Sequence, residues 1–402
     1  MTEQEAPTSV FRNTAFLRLW TGTTASGLAM WAMPFVLGLA VLERSITAVD
    51  LGVVLAARTV GFLAAVPVAG VLADRHPRRV VVFWSCLTAA LLTPVIALGM
   101  GKSPLLMAVA ATVVGAGQGA CRPAFQAMVA EVVPEQGRQQ ANAATTLAVR
   151  VTTLVAPSLT ALAALLVNAR GLLAATAVVW LVAALVPPRG QGRRGPATAT
   201  RASFATDFLD GIREARRHPW LLAGLGALTA VIATGYSATA VVLPLVSRDR
   251  YGTEAVLAAA TTAYTIGALA GAVLIARWRP KAAGWVALAG LALYGLIPLV
   301  LLVPVHPVAV VAAYAVTGIG IELFNVPWFT AVQREVEPSK LARVSSLDFL
   351  LSYGLAPVGL AFIAPAIEAF GVSAVLGACA VICFAVPAAA ALVPSSRRFS
   401  TR

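Results

Sequence analysis

Glu322 is a carboxyl set in an apolar run, with Gly318-Ile319-Gly320-Ile321 before it and Leu323-Phe324 after it. Placing an ionisable side chain at the centre of a membrane helix costs about 2.5–3.5 kcal/mol on insertion scales, so one that is kept there carries a charge or pairs with one. Glu322 is therefore a candidate proton carrier, or the structural partner of an arginine. Asn325 and Phe329 follow one and two helical turns later, on its face. Arg58 lies in another apolar run and admits three readings: partner of that acid, attractor of an anionic substrate, or a side chain that snorkels outward. Asp348 stands near the start of a further run, where an acid serves as a helix cap or as a second proton-coupling candidate. Gln118, Trp31, Met30 and Met33 are of types that line a binding cavity and equally of types that pack a core. The substrate-cavity candidates are Trp31, Met33, Arg58, Gln118, Glu322 and Asn325.

A denser cluster is Gly70-Val71-Leu72-Ala73-Asp74-Arg75-His76-Pro77-Arg78-Arg79. Gly70 lets two helices approach closely. Asp74, at the end of an apolar run, can meet the positive N-terminus of another helix, that of span eleven, and a cation such as Arg122. Arg75, Arg78 and Arg79 can pair with acids such as Glu131 or with lipid phosphates. Contacts of this kind form only when the inner ends of the helices are together, which would make the cluster a gate that holds an outward-facing state. The plain alternative is a positively charged loop with no switching role.

These residues need elements to hold them, and the composition says which. Of 402 residues 59% are apolar and 12% charged, too little polar surface to cover a water-soluble globule of this size. Apolar runs of spanning length fall at about 16–42, 50–72, 80–101, 104–130, 141–167, 171–187, 220–247, 254–276, 283–303, 307–332, 344–366 and 371–394. Backbone groups in lipid must bond within their own segment, so the runs are helices; strands of a barrel would alternate apolar and polar, and these do not. The expected fold class is an all-α membrane protein of twelve transmembrane helices in two six-helix bundles. The net charge of +13 is spread in ones to threes between the runs and forms no stripe, which argues against nucleic acid as a partner.

Twenty-two basic residues fall in tails and connections on one side of the predicted topology and five on the other, so both termini are expected in the cytoplasm of a multi-pass protein of the plasma or inner membrane. The start, Met1 to Asn13, has neither a basic region nor an apolar core of the kind a cleaved signal carries. Cys86, Cys121, Cys379 and Cys383 lie inside apolar runs and read as small buried side chains, with no metal site expected. The connection 188–219 divides the chain into bundles at 1–187 and 220–402. It carries Gly190, Gly192, Gly195, Arg193 and Arg194, then Phe204, Phe208, Ile212 and Ala215 at helical spacing beside Arg213, Arg216 and Arg217, which suits a helix at the membrane interface or a solvated linker. The two halves repeat: Gly70–Arg79 falls into register with Ala272–Lys281, and Glu131-Val132-Val133-Pro134-Glu135 with Glu335-Val336-Glu337-Pro338-Ser339.

Gly70–Arg79 is similar to the Gly-x-Leu-x-Asp-Arg-x-x-Arg-Arg signature of the major facilitator superfamily, and the likeness covers essentially the whole chain. Gly117-Gln118-Gly119 through Arg122-Pro123-Ala124, Gln140-Ala141-Asn142-Ala143 and Leu341-Ala342-Arg343-Val344-Ser345-Ser346 resemble the branch that holds the enterobactin exporter and macrolide-efflux proteins. The resemblance implies secondary transport of a small molecule by alternating access, most often export. Span five departs from it: Ala156-Pro157-Ser158 stands where exporters carry a glycine-rich Gly-Pro motif. The expected function is export of a small lipophilic compound such as a drug or natural product, a cation or zwitterion in the simplest proton-exchange scheme. Importer, uniporter and non-transporting receptor are the alternatives. Protons or another coupling ion and the bilayer are the expected partners, and a monomer the expected state. Neither a Walker loop nor a nucleophile with its base appears, so no enzyme activity and no cofactor are expected.

Overall fold

The structure, a computed structural model, describes residues 10–189, 204–253, 255–354 and 356–400, and among them there is no strand. The first six spans are single helices: α1 (Thr14–Leu42), α2 (Ala48–Arg75), α3 (Arg78–Gly99), α4 (Pro104–Val132), α5 (Arg138–Ala164) and α6 (Ala169–Leu185). Their starts are written in the sequence as caps. The Asn13 side chain accepts from the Ala15 and Phe16 amides, Thr47 and Asp50 form a reciprocal capping box, and Ser103 and Asn168 cap α4 and α6. After the connection comes α7 (Phe204–Arg216), with Arg213 and Arg216 exposed and Ala215 buried. Gly190, Gly192, Arg193, Arg194 and Gly195, and the side chains of Phe204 and Phe208, lie outside the described residues.

Two later spans are interrupted. Span seven is α8 (Pro219–Val231), a π-turn at Ile232–Tyr236 and α9 (Ser237–Asp249). After α10 (Ala255–Arg277), span nine is α11 (Ala283–Ala292), a 3-10 turn at Leu293–Gly295 and α12 (Leu296–Leu302). Span ten is α13 (Pro307–Glu335). Span eleven comprises α14 (Leu341–Gly354) and α15 (Ala356–Phe370), and α16 (Val372–Ala391) is the last. The 3-10 turn of span nine comes just before Pro298, whereas Pro244 of span seven lies eight residues beyond the π-turn, inside α9. In span seven the Ser237 hydroxyl donates to the Ile232 carbonyl, five residues back, which stabilises the wide turn without a proline.

Among the described residues ten helical stretches are long and apolar enough to cross a membrane; α6, shorter, and span eleven, described as Leu341–Gly354 and Ala356–Phe370, bring the total to twelve. Large apolar side chains such as Leu42, Leu91, Leu105, Leu166 and Phe362 face outward, as lipid requires and water would penalise. The chain is a multi-pass membrane protein.

Two compact units make up the molecule: Met1–Gly211 with Glu337–Leu347, and Ile212–Val336 with Asp348–Arg402. Within the first, α4 packs on α2 and α3, and α1 on α5 and α6. Gly61 and Gly115 lie flat against the carbonyls of Thr112 and Arg58, where no Cβ fits, so α2 and α4 touch backbone to backbone. In the second unit α13 packs on α10 and α11 and α16 on α8, and Gly267 and Gly318 meet the carbonyls of Ala315 and Tyr264 in the same way. The glycine crossing between the second and fourth helices thus recurs in both halves.

Candidate functional site

Within the first unit the cluster at the end of α2 is closed by the start of α14. Gly70 meets Ser346 and the Ala342 carbonyl so closely that a Cβ would collide with both. That approach brings Asp74 to the helix N-terminus: its Oδ1 accepts from the Ala342 amide at 3.1 Å and its Oδ2 from the Arg343 amide at 3.0 Å. The carboxylate caps α14 from another helix, 268 residues away in the chain, and lies in the positive end of its dipole. Two cations flank it, Arg343 Nε at 3.4 Å and Arg78 Nη2 at 3.8 Å.

Arg78 binds the cluster together. It pairs with Glu131 at 3.0 Å, donates to the Ala127 carbonyl at 2.9 Å and reaches the Pro338 carbonyl. Asp74, Glu131, Arg78 and Arg343 sum to zero charge, and the Asp74 side chain is wholly out of solvent. Such a group is held only while every partner is in place. Arg79 acts elsewhere, donating to the Pro187 and Leu185 carbonyls at the C-terminal end of α6 with its guanidinium over Phe83. Arg75 occupies the last turn of α2.

Arg122 stands apart from Asp74. It lies nine residues before Glu131 on α4, about 14 Å along the helix, and its Nη2 is 3.7 Å from Met30 Sδ. Arg58 reaches the same residue from α2, with Nη1 3.4 Å from the Met30 carbonyl. Met33 is fully buried one turn from Met30. Gln118, one turn before Arg122, is buried with its Nε2 lacking an acceptor, as is the indole N–H of Trp31.

Within the second unit Glu322 is fully buried, and Asn325 Nδ2 lies 3.5 Å from its Oε2. Phe329 stacks on Phe349. Asp348 is not a helix cap. The helix begins at Leu341, in a stretch too polar for a hydropathy window to include, which puts Asp348 two turns inside it. Its Oδ1 accepts from Trp328 Nε1 at 3.1 Å, and that indole sits among Trp220, Phe324 and Phe399. Sequence reasoning passed over this aromatic cluster, the cation Arg343, and the buried hydroxyls of Thr239 and Thr317, which donate to the Gly235 and Leu293 carbonyls. Trp220, Trp328 and Phe399 stand on separate elements with no shared spacing, whereas the hydroxyls of Thr239 and Thr317 in apolar runs were an available signal.

The model of the Major Facilitator Superfamily matches residues 19–359. A comparison with curated protein sequences finds no match. Among solved structures, the human organic anion transporter is similar with a TM-score of 0.77 at 15% identity, covering 94% of this chain and 99% of its own. The E. coli fucose:proton symporter is similar with a TM-score of 0.69 at 15% identity, covering 93% of this chain and 98% of its own. At that identity the likeness shows the fold, a twelve-helix bundle, and the match in sequence shows the kinship: the chain belongs to the major facilitator superfamily, a family of membrane transporters.

Proposed function

We propose that the chain is a secondary active transporter of the cell membrane, both termini cytoplasmic, that exports a small lipophilic organic compound by alternating access in exchange for protons. One observation carries the reading: Glu322 is a fully buried carboxyl near the middle of a membrane-crossing helix, with the Asn325 amide among its neighbours. An amide donates to an ionised carboxylate and, through its oxygen, accepts from a protonated one, so Asn325 suits both states of a group that loads and releases a proton. Asp348 is served by an indole N–H, which can only donate, and its role in this scheme is structural.

The Asp74 cluster is the gate of the cycle. Its contacts hold α14 against α2 while the cytoplasmic side is shut, and they part together when that side opens. Because the buried charges balance only as a set, loss of one contact favours loss of the rest, which makes the element two-state.

Cells that express the chain should expel lipophilic dyes faster than cells that do not. The Glu322→Gln variant, present in the membrane at equal amount, should lose about nine-tenths of that excess rate, the effect of removing a group whose charge change drives a step. An unchanged rate removes Glu322 from the mechanism. A second reading, an importer or uniporter, draws on one feature: Pro157 lies inside α5 without the glycines that exporters place around it.

A further inference from the structure

The C-terminal end of α6, like that of any helix, leaves carbonyls without intrahelical donors and carries the negative end of the dipole, about half an elementary charge. Two guanidiniums from other helices collect there. Arg18 of α1 donates through Nε to the Val186 carbonyl at 2.9 Å. Arg79 of α3 donates through Nε to the Pro187 carbonyl at 2.8 Å and through Nη2 to the Leu185 carbonyl at 3.1 Å. Arg189, exposed, follows two residues after Pro187. The charges that act on Arg79 are those of Arg18 and Arg189, cations both, and among the described residues none of the three stands in an ion pair. One helix end cannot balance three positive charges, so the group is short of an anion.

We infer that Arg18, Arg79 and Arg189 form a binding site in the first unit for the phosphate of an anionic phospholipid. The site goes beyond the transport reading and depends on neither its direction nor its coupling. Besides the charge, one nitrogen asks for an acceptor. Arg79 Nη1 is out of solvent and has no partner within the protein, while the rest of the guanidinium is fixed by its two carbonyls and by the Phe83 ring 5.6 Å away. A planar fork held in this way is preorganised for phosphate oxygens, and each contact would be a charge-assisted hydrogen bond.

A second, independent observation says that the phosphate comes with acyl chains. The helices α3 and α6 pack side by side, and each turns an apolar row outward: Val80, Trp84 and Leu91 on α3, Val178, Val182 and Leu185 on α6. Both rows begin at the arginines, Val80 beside Arg79 and Leu185 as one of its acceptors, and run from there along helices that cross the membrane. Trp84 lies about 8 Å along α3 from Arg79, the depth at which an indole favours the boundary between headgroup and chain, and its ring meets Phe83 edge-on. A phosphate from solution would use the cations alone; a phospholipid uses the cations and both rows. A headgroup with an ammonium would bring a fourth positive charge to the three arginines, so the class of ligand is a glycerophospholipid whose phosphodiester is its only charge.

The test is native mass spectrometry of the purified full-length chain with three lipids of identical dioleoyl chains, phosphatidylglycerol, phosphatidylcholine and phosphatidylethanolamine, and with glycerol phosphate as a competitor without chains. Phosphatidylglycerol should bind about tenfold more tightly than the other two lipids, the worth of one hydrogen bond to a charged group. That preference should vanish in Arg79→Gln and fall about threefold in Arg189→Gln, whose side chain is exposed beyond the helix and holds no element in place. Arg79→Lys, which keeps the charge and lacks the fork, should keep part of it. If Arg79→Gln fails to fold, the headgroup order in the unaltered protein and the Arg189→Gln variant still decide. Equal binding of the three lipids, tighter binding of either lipid that carries an ammonium, or a preference unchanged in the glutamine variants overturns the proposal. Displacement of phosphatidylglycerol by an equal concentration of glycerol phosphate would show that the arginines take phosphate from solution, and would overturn it as well.

Discussion

Replacing Asp74 with asparagine removes one charge and leaves the volume unchanged, which makes it the sharpest probe of the proposed gate. The carboxylate takes one amide proton on each oxygen, from Ala342 and Arg343. Asparagine keeps one acceptor and turns an N–H toward the other amide. One charge-assisted bond becomes a neutral one and the second is lost, each change being about 1–2 kcal/mol. The α14 dipole also loses its countercharge, a further 0.3–1 kcal/mol or so. The lower bound is about 2 kcal/mol, which shifts a two-state equilibrium about thirtyfold. Ala342 reports the change because it is fully buried beside the contact. In a protein whose four cysteines are replaced, a cysteine at position 342 should react with a maleimide about thirtyfold faster once Asp74→Asn is added, with Asp74→Glu in between. A labelling rate that stays within about twofold of the parent would show that the contact carries no switching energy, and the gate would reduce to a positively charged loop.

Further outcomes follow from the same geometry. Arg78→Ala should cost about 3–5 kcal/mol of stability in thermal or denaturant unfolding because it strands Asp74 and Glu131, and Arg78→Lys, a point charge without the planar fork, should recover less than half of it. Gly70→Leu should raise labelling at position 342 as Asp74→Asn does, with every charge intact, since the added side chain collides with Ser346; unchanged labelling would mean that α14 does not need the close approach. Trp328→Phe should cost about 1–3 kcal/mol by leaving the Asp348 carboxyl without its indole donor, and should leave proton coupling unchanged; loss of coupling would move Asp348 back among the carriers.

The helices were legible in sequence because lipid forces any long apolar run to satisfy its own backbone, and caps such as Asn13 and Thr47 mark where runs become helices. The partnership of Asp74 with the start of span eleven was legible as a type of contact, an acid seeking a helix N-terminus. Its cations were not. Arg343 lies 269 residues away with no spacing to betray it, and Arg122, which the sequence offered for that role, is carried about 14 Å from Glu131 by the rise of α4. Arg58 and Arg122 approach Met30 of α1 from α2 and α4, a meeting that no spacing in the sequence announces; Gly115 against the Arg58 carbonyl is one of the contacts that place them. The π-turn at Ile232–Tyr236 has no proline to announce it, and Asp348 looked like a cap because hydropathy places the start of its helix too late.

Proton-driven export is tested most directly by proteoliposomes that hold the purified chain under an imposed pH gradient, with a lipophilic dye of fixed charge as probe because it stays ionised and does not partition passively with pH. Exchange predicts that the probe collects in the more acidic compartment, leaves it when the gradient is collapsed, and does neither in Glu322→Gln. Collection in the alkaline compartment, a distribution equal to that of protein-free vesicles, or a gradient response that persists in Glu322→Gln would contradict it.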